Sequence, residues 1–326
     1  MNLRKLAYAF IPLIVVFVSA EISLRMLDWP KITAAFEHKE PFWVLDPDHK
    51  NELFPHKEEG RNFSVNTNKD GLRTSYLPSS KSDWKIMTMG CSTTFGWGVG
   101  NGETYPSRLE HYIKTSGYSS TQVINAGQPG YTSFQGNWLW DKSLKDYSPN
   151  IVLIGFIVQD ARKAAYSDRS QAILQKDYRY LKDNFLYNLR IYLGLRSLLG
   201  SVQLRAKERR SQDDGVFRVP PADYVQNLRL LVSKIQKVGG QPILFGYPLE
   251  RSGYTKEHRL ILKIAAEKLG IGHLDPQEKM EVSSRKKQYY FTRDRGHANV
   301  AGNDLIAQWV FEYLKEESLL EKGNGS

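Results

Sequence analysis

The sequence predicts an α/β fold, three layers α/β/α around a five-stranded, mostly parallel, doubly wound sheet. Two observations carry this. From residue 85 onward, short apolar strands alternate with amphipathic helical segments, the pattern of helices packed on both faces of a parallel sheet. Within that rhythm, Ile151-Val152-Leu153-Ile154-Gly155-Phe156-Ile157 is continuously apolar, as expected of a strand covered on both faces. The length of 326 residues suits one sizeable catalytic domain with extensions.

The elements follow in order. Lys85-Ile86-Met87-Thr88-Met89 reads as the first strand, and 103–115 has helical periodicity. A second strand at 122–125, a helix at 133–145 and the apolar run at 151–157 come next. A helix over 222–238 is stopped by Gly239-Gly240, and is followed by a strand at 242–247, a helix at 256–269 and a strand at 271–274. A polar loop then leads into a last helix over 299–317. In such a sheet the functional site belongs at the carboxyl ends of the strands.

Three segments lie outside this rhythm. Residues 29–84, rich in Pro, His, Lys, Asp and Asn with a turn at Asn68-Lys69-Asp70-Gly71, read as a loop-and-hairpin extension to the domain at 85–318. Residues 161–219 are Leu- and Tyr-rich with a basic Arg205-Ala206-Lys207-Glu208-Arg209-Arg210, and read as a helical insert, in its sharper form a lid or membrane-facing cap. Residues 319–326 read as a flexible tail.

At the N-terminus, Arg4 and Lys5 precede an uncharged run from Leu6 to Ala20, so 1–28 is expected to be a signal anchor or signal peptide. The fifteen uncharged residues fall short of a full span, but Ile22, Leu24, Met26 and Leu27 prolong the apolar pattern. The expected location is the cell membrane, through one N-terminal helix with the catalytic domain outside the cytoplasm, or the periplasm or exterior after cleavage.

Composition narrows the function. The net charge of +10 and pI near 9.4 suit an anionic partner. Much of the excess lies in 161–219, with 13 Lys/Arg against 6 Asp/Glu, and no nucleic-acid module accompanies it, so a solvated or membrane-facing surface is expected and nucleic acid is not. The single cysteine, Cys91, and the lack of any Cys/His cluster at zinc spacing imply no disulfide, metal or cofactor. The glycines of 96–102 fit no register of Gly-x-Gly-x-x-Gly and precede no Gly-Lys-Ser/Thr, which excludes a dinucleotide or Walker site.

What remains is nucleophilic chemistry. Gly90-Cys91-Ser92-Thr93-Thr94-Phe95-Gly96 follows the first strand and would put Ser92 at a strand-to-helix turn. Near the other end stands Asp294-Arg295-Gly296-His297, which can supply a base and the carboxylate that orients it. Gly127 after the second strand and Gln159-Asp160 after the third are candidate oxyanion elements. Cys91 is a rival nucleophile, though Ser92 fits the pattern better.

In that order the pieces resemble the SGNH/GDSL hydrolase family over about 85–314, with Asn66-Thr67-Asn68-Lys69-Asp70-Gly71-Leu72-Arg73 similar to a segment preceding the first block in bacterial members. The resemblance implies a flavodoxin-like sheet, Ser92 as nucleophile, His297 as general base and acid and Asp294 as the orienting acid. It further implies the N–H groups of Ser92 and Gly127 as oxyanion donors, with Gln159 where the family has Asn. Cys91 replaces the Asp of the name-giving motif, a position outside the triad. The expected function is a serine ester hydrolase acting on an acylated small molecule, lipid or cell-envelope glycan. The alternatives are an O-acyltransferase acting on an envelope polysaccharide and a catalytically impaired binding protein.

Overall fold

The five apolar segments read from the sequence are the five strands of one parallel sheet. The computed structural model describes residues 3–27, 29, 42–56, 62–80, 84–173, 189–195, 198 and 215–320. The chain divides into two compact units, Val44–Arg162 with Phe217–Ser326 and Met1–Trp43 with Lys163–Val216.

In the larger unit, β1 (Glu52–Pro55) and β2 (Asn62–Val65) form an antiparallel hairpin. The sheet comprises β3 (Trp84–Gly90), β4 (Thr121–Gly127), β5 (Ile151–Gly155), β6 (Gln241–Phe245) and β7 (Gly272–Leu274), in the order β4-β3-β5-β6-β7. Every pairing is parallel. Counted within the sheet, this is the order 2-1-3-4-5 of flavodoxin-like folds, whose ligand crevice opens where the winding reverses, between β3 and β5. Gly90 is in register with both Gly127 and Gly155, so the loops after β4 and β5 flank the loop after β3.

Helices cover the sheet because each has one apolar stripe. In α3 (Tyr105–Thr115), Tyr105, Leu109 and Ile113 recur every four residues and are fully buried. They pack in one core with Ile306, Val310 and Leu314 of α8 (Val300–Glu316). This unit also contains the helices α2 (Ser92–Phe95), α4 (Ser133–Lys142), α5 (Pro221–Lys237), α6 (Lys256–Leu269) and α7 (Gln277–Val282). Buried Asn303 ties two of them: its Oδ1 accepts from Tyr105 N (3.0 Å) and its Nδ2 donates to Ala298 O (2.9 Å), fixing the start of α8 against the start of α3.

In the smaller unit, α1 is Leu3–Met26. Large apolar side chains such as Ile11, Leu13, Val16 and Phe17 are exposed along it. The charge that interrupts its apolar run is explained locally. Glu21 is buried, and its carboxylate accepts from the N–H groups of Arg190 (2.9 Å) and Ile191 (3.0 Å), at the start of a helical turn over 190–195. The expected transmembrane helix is corrected on this point: among the described residues no helix is long and apolar enough to cross a membrane. Arg4, Lys5 and Glu21 confine the uncharged run to fifteen residues. Most of the expected insert over 161–219, and the tail at 321–326, lie outside the described residues.

Candidate active site

Ser92 is placed by steric closure. Cys91 N-caps α2, and Ser92 is the first residue of that helix, so its N–H has no intrahelical partner and makes no hydrogen bond among the described residues. The helix lies hard against two strand ends. A Cβ on Gly90 would stand 2.1 Å from Thr94 Oγ1, and one on Gly127 would stand 2.3 Å from Phe95 N. Neither position tolerates a side chain, which is what brings the serine over the edge of the sheet.

The far end of α2 is held by Arg73. Its guanidinium donates to Phe95 O (2.9 Å), Gly96 O (2.8 Å), Val99 O (2.7 Å) and Ser64 O (3.0 Å) and lies over the Phe95 ring. Burial pulls its pKa down to about 9, so it stays protonated at neutral pH. The motif at 66–73 thereby acquires a physical role. Asn68 Oδ1 accepts from the N–H groups of Asp70 and Leu72, both at 3.0 Å, and closes the turn that presents Arg73. Gly71, at φ +70°, passes where a Cβ would meet Leu45 O at 2.2 Å.

The two distant parts of the sequence meet at this edge. His297 Nε2 is 2.8 Å from Ser92 Oγ, and its Nδ1 is 2.9 Å from Asp294 Oδ2. Both lie in the loop before α8, which is pinned by Asn299: its Oδ1 accepts from Gly302 N (3.1 Å) and its Nδ2 donates to Gln288 O (2.8 Å). Asp294 also faces a second imidazole that sequence reasoning missed. His56, from the loop after β1, is buried with its Nε2 3.4 Å from the same Oδ2, and its ring packs at 4.3 Å against Phe291, tilted by 48°. No pattern around His56 in the sequence marks it, because the contact joins residues 238 positions apart.

The oxyanion side differs from expectation at one residue. The N–H of Gly127 donates to Asn125 Oδ1 (3.0 Å), so it is committed within its own strand end, and this glycine serves the approach of α2. The open glycine of that loop is Gly130, at φ +77°, whose N–H makes no hydrogen bond and whose Cβ position is clear among the described residues. Gln159, in the loop after β5, is buried. Arg218 Nη1 donates both to Gly130 O (2.8 Å) and to Gln159 Oε1 (3.0 Å), so the loops after β4 and β5 are joined above β3. The signal for Gly130 was present in the sequence as a second glycine of the same loop; nothing there linked Arg218 to it.

The rival nucleophile is placed elsewhere. Cys91 is 1% exposed, belongs to the apolar core and has its Sγ 3.3 Å from Thr93 Oγ1, whereas Ser92, also buried, has its Oγ on His297 Nε2. Among the described residues no group of three or more His, Cys, Asp or Glu could hold a metal ion.

The profile of the GDSL-like lipase/acylhydrolase family matches residues 89–305. No curated protein matches the chain significantly. Among solved structures, a lipase/acylhydrolase from Enterococcus faecalis is 18% identical, with a TM-score of 0.51 over 74% of this chain and 100% of that one. A psychrotrophic esterase from Pseudoalteromonas sp. is 17% identical (TM-score 0.48, 73% and 100% covered), and an acetylxylan esterase from Geobacillus stearothermophilus is 16% identical (TM-score 0.45, 76% and 99% covered).

Proposed function

We propose a mechanism for this chain, which belongs to the GDSL-like lipase/acylhydrolase family and is an ester-bond hydrolase, in which Ser92 forms an acyl-enzyme. The observation that carries it is the unbroken relay from Asp294 through His297 to Ser92, with both links within 3 Å. That is the distance at which a base takes a hydroxyl proton.

Ser92 Oγ attacks the ester carbonyl as His297 Nε2 takes its proton. Asp294, on Nδ1, holds the imidazole in the tautomer that leaves Nε2 free to accept, and stabilises the imidazolium that forms. The oxyanion of the tetrahedral intermediate is met by the N–H groups of Ser92 and Gly130 and by Gln159 Nε2. His297 then protonates the departing alcohol, and water, activated by the same imidazole, releases the acid from Ser92. The substrate is an O-acyl ester on a lipid or cell-envelope glycan.

Segment 1–28 is proposed to direct the chain to or through a membrane, supported by the basic pair before the apolar run and by the exposed apolar surface of α1. Membrane fractionation with N-terminal sequencing of the mature chain tests it; a full-length chain found only in the cytosolic fraction refutes it.

The test of the chemistry is mass spectrometry of the chain after exposure to an active-site serine phosphonate. A single adduct on Ser92, absent in His297→Ala, is expected. A folded protein that takes no adduct, or takes it equally in His297→Ala, removes the proposed relay.

A further inference from the structure

As an oxyanion donor, Gln159 poses a chemical difficulty. A glutamine has one more rotatable bond than the asparagine of the family pattern. Its amide is also two-sided, with Nε2 donating and Oε1 accepting. Turned the wrong way, it would put an oxygen lone pair against a developing oxyanion. Something must choose the face.

We infer that Arg218 is a positioning residue that sets the polarity of the Gln159 amide, so that Nε2 and not Oε1 faces the oxyanion; this rests on the serine-esterase reading above. A guanidinium has donors only. The amide atom 3.0 Å from Arg218 Nη1 must therefore be Oε1, and Nε2 must point along the other branch. That Nε2 makes no hydrogen bond among the described residues, so it is the uncommitted donor of a buried side chain.

Topology says where the donor is. Neighbouring strands lie about 4.8 Å apart, so the ends of β4 and β5 stand roughly 10 Å apart with β3 and Ser92 between them. The loops that follow these strands close much of that gap, since one nitrogen, Arg218 Nη1, reaches both Gly130 O (2.8 Å) and Gln159 Oε1 (3.0 Å). The same Nη1 thus fixes two of the proposed oxyanion elements against each other. The Arg218 Nη2 contact to Gln135 Oε1 (3.4 Å) continues the network into α4, where that oxygen also accepts from Thr132 N (3.0 Å).

The root of the arginine is itself fixed. Its backbone N–H donates to Arg162 O (2.7 Å), and the next residue, Val219, donates to Asp160 O (3.2 Å) and accepts from His258 Nε2 (2.9 Å). Residues 218–219 therefore run beside 160–162, immediately after Gln159. A flexible surface arginine would have no such support.

Four measurements on the full chain test the inference, three of them with p-nitrophenyl acetate as the probe substrate. Arg218→Met is expected to lower kcat by about 10- to 100-fold with KM little changed, the pattern of a lost oxyanion interaction. In a Gln159→Leu background the same substitution is expected to cost less than about threefold, because the arginine acts through that amide. An undiminished cost there overturns the inference, since Arg218 would then act through Gly130 or the fold and not through the amide. Arg218→Lys, whose ammonium also only donates, keeps the fold if Met does not and is expected to retain activity within about tenfold of the wild type.

The fourth measurement needs no turnover. In protein labelled with 15N-glutamine, the Nε2 proton pair of Gln159, identified by its loss in Gln159→Leu, is expected to shift in Arg218→Met. An unmoved pair overturns the inference whatever the kinetics. If the wild type neither hydrolyses the probe nor takes a phosphonate on Ser92, the esterase reading fails, and the amide resonance still decides what Arg218 does.

Discussion

The two sides of the proposed site are held by different forces. On the nucleophile side, α2 is wedged between the ends of β3 and β4 by contacts that forbid even one Cβ. On the oxyanion side, the loops after β4 and β5 meet through one guanidinium. Steric closure is unforgiving and local. A hydrogen-bonded strap can be weakened by degrees, since one bond is worth about 1 kcal/mol net. The nucleophile is therefore expected to fail all at once, and the oxyanion side to fail in steps.

The strongest way to break this contrast is at the relay. Ser92→Ala and His297→Ala are each expected to lower kcat/KM by about 10⁴-fold or more while leaving the thermal midpoint within about 2 °C. Ester turnover that survives either change in full would end the comparison, because the site would lie elsewhere.

Next is the wedge. Gly127→Ala is expected to cost about 3 kcal/mol or more in urea unfolding, since its Cβ would meet backbone, which cannot move aside as a side-chain end can. If this glycine were instead only an oxyanion donor, Ala would keep the N–H and leave stability untouched. Near-native stability with activity retained would show the wedge to be slack.

The graded side is probed by shortening the amide. Gln159→Asn is expected to lower kcat by about tenfold, because the shorter side chain cannot reach both Arg218 and the oxyanion, where a good donor is worth about 10²–10³. A gain in activity would mean that the asparagine geometry is still available and the strap irrelevant. A smaller effect is expected behind the relay: His56→Leu removes the second imidazole from Asp294 and is expected to cost about fivefold in kcat, on the order of 1 kcal/mol. His56→Gln, which can keep a donor toward the carboxylate, should recover most of it.

The least change is expected in the pH dependence of the strap's root. Burial holds the His258 imidazole below its ordinary value, while the unfolded chain takes up that proton near about 6.5. Below that pH the unfolded state binds the proton and the folded state does not, so stability falls as the solution is acidified. His258→Gln keeps a donor for Val219 O and is expected to flatten the stability profile between about pH 7 and 5 by up to one proton's worth, about 1.4 kcal/mol per pH unit. An identical slope in wild type and variant would show that His258 does not report the acid sensitivity.

The fold was largely legible because its signals are local. Continuous apolar runs and helical periodicity are short-range consequences of burial on both faces of a sheet, and the five strands fell within a few residues of their expected positions. Two short helices, α2 and α7, were not foreseen, since four and six residues are too few for a periodic pattern. Ser92, His297 and Asp294 were legible because each sits in a compact motif beside an element boundary. The sequence could not show that the Gly127 N–H is bonded to Asn125 Oδ1: both duties, close approach and oxyanion donation, call for a glycine, and the sequence shows only the residue type.

By itself, then, the sequence determined the strand and helix order, the edge of the sheet where chemistry must occur, and the identities of the nucleophile, base and acid proposed for it. Only the tertiary structure decided which glycine N–H is free, which imidazole stands behind Asp294 and which cation turns the amide of Gln159. Those contacts join residues from 59 to 238 positions apart in the chain. No local periodicity encodes such a pairing, because it arises from where folded loops converge and not from the residues beside each partner.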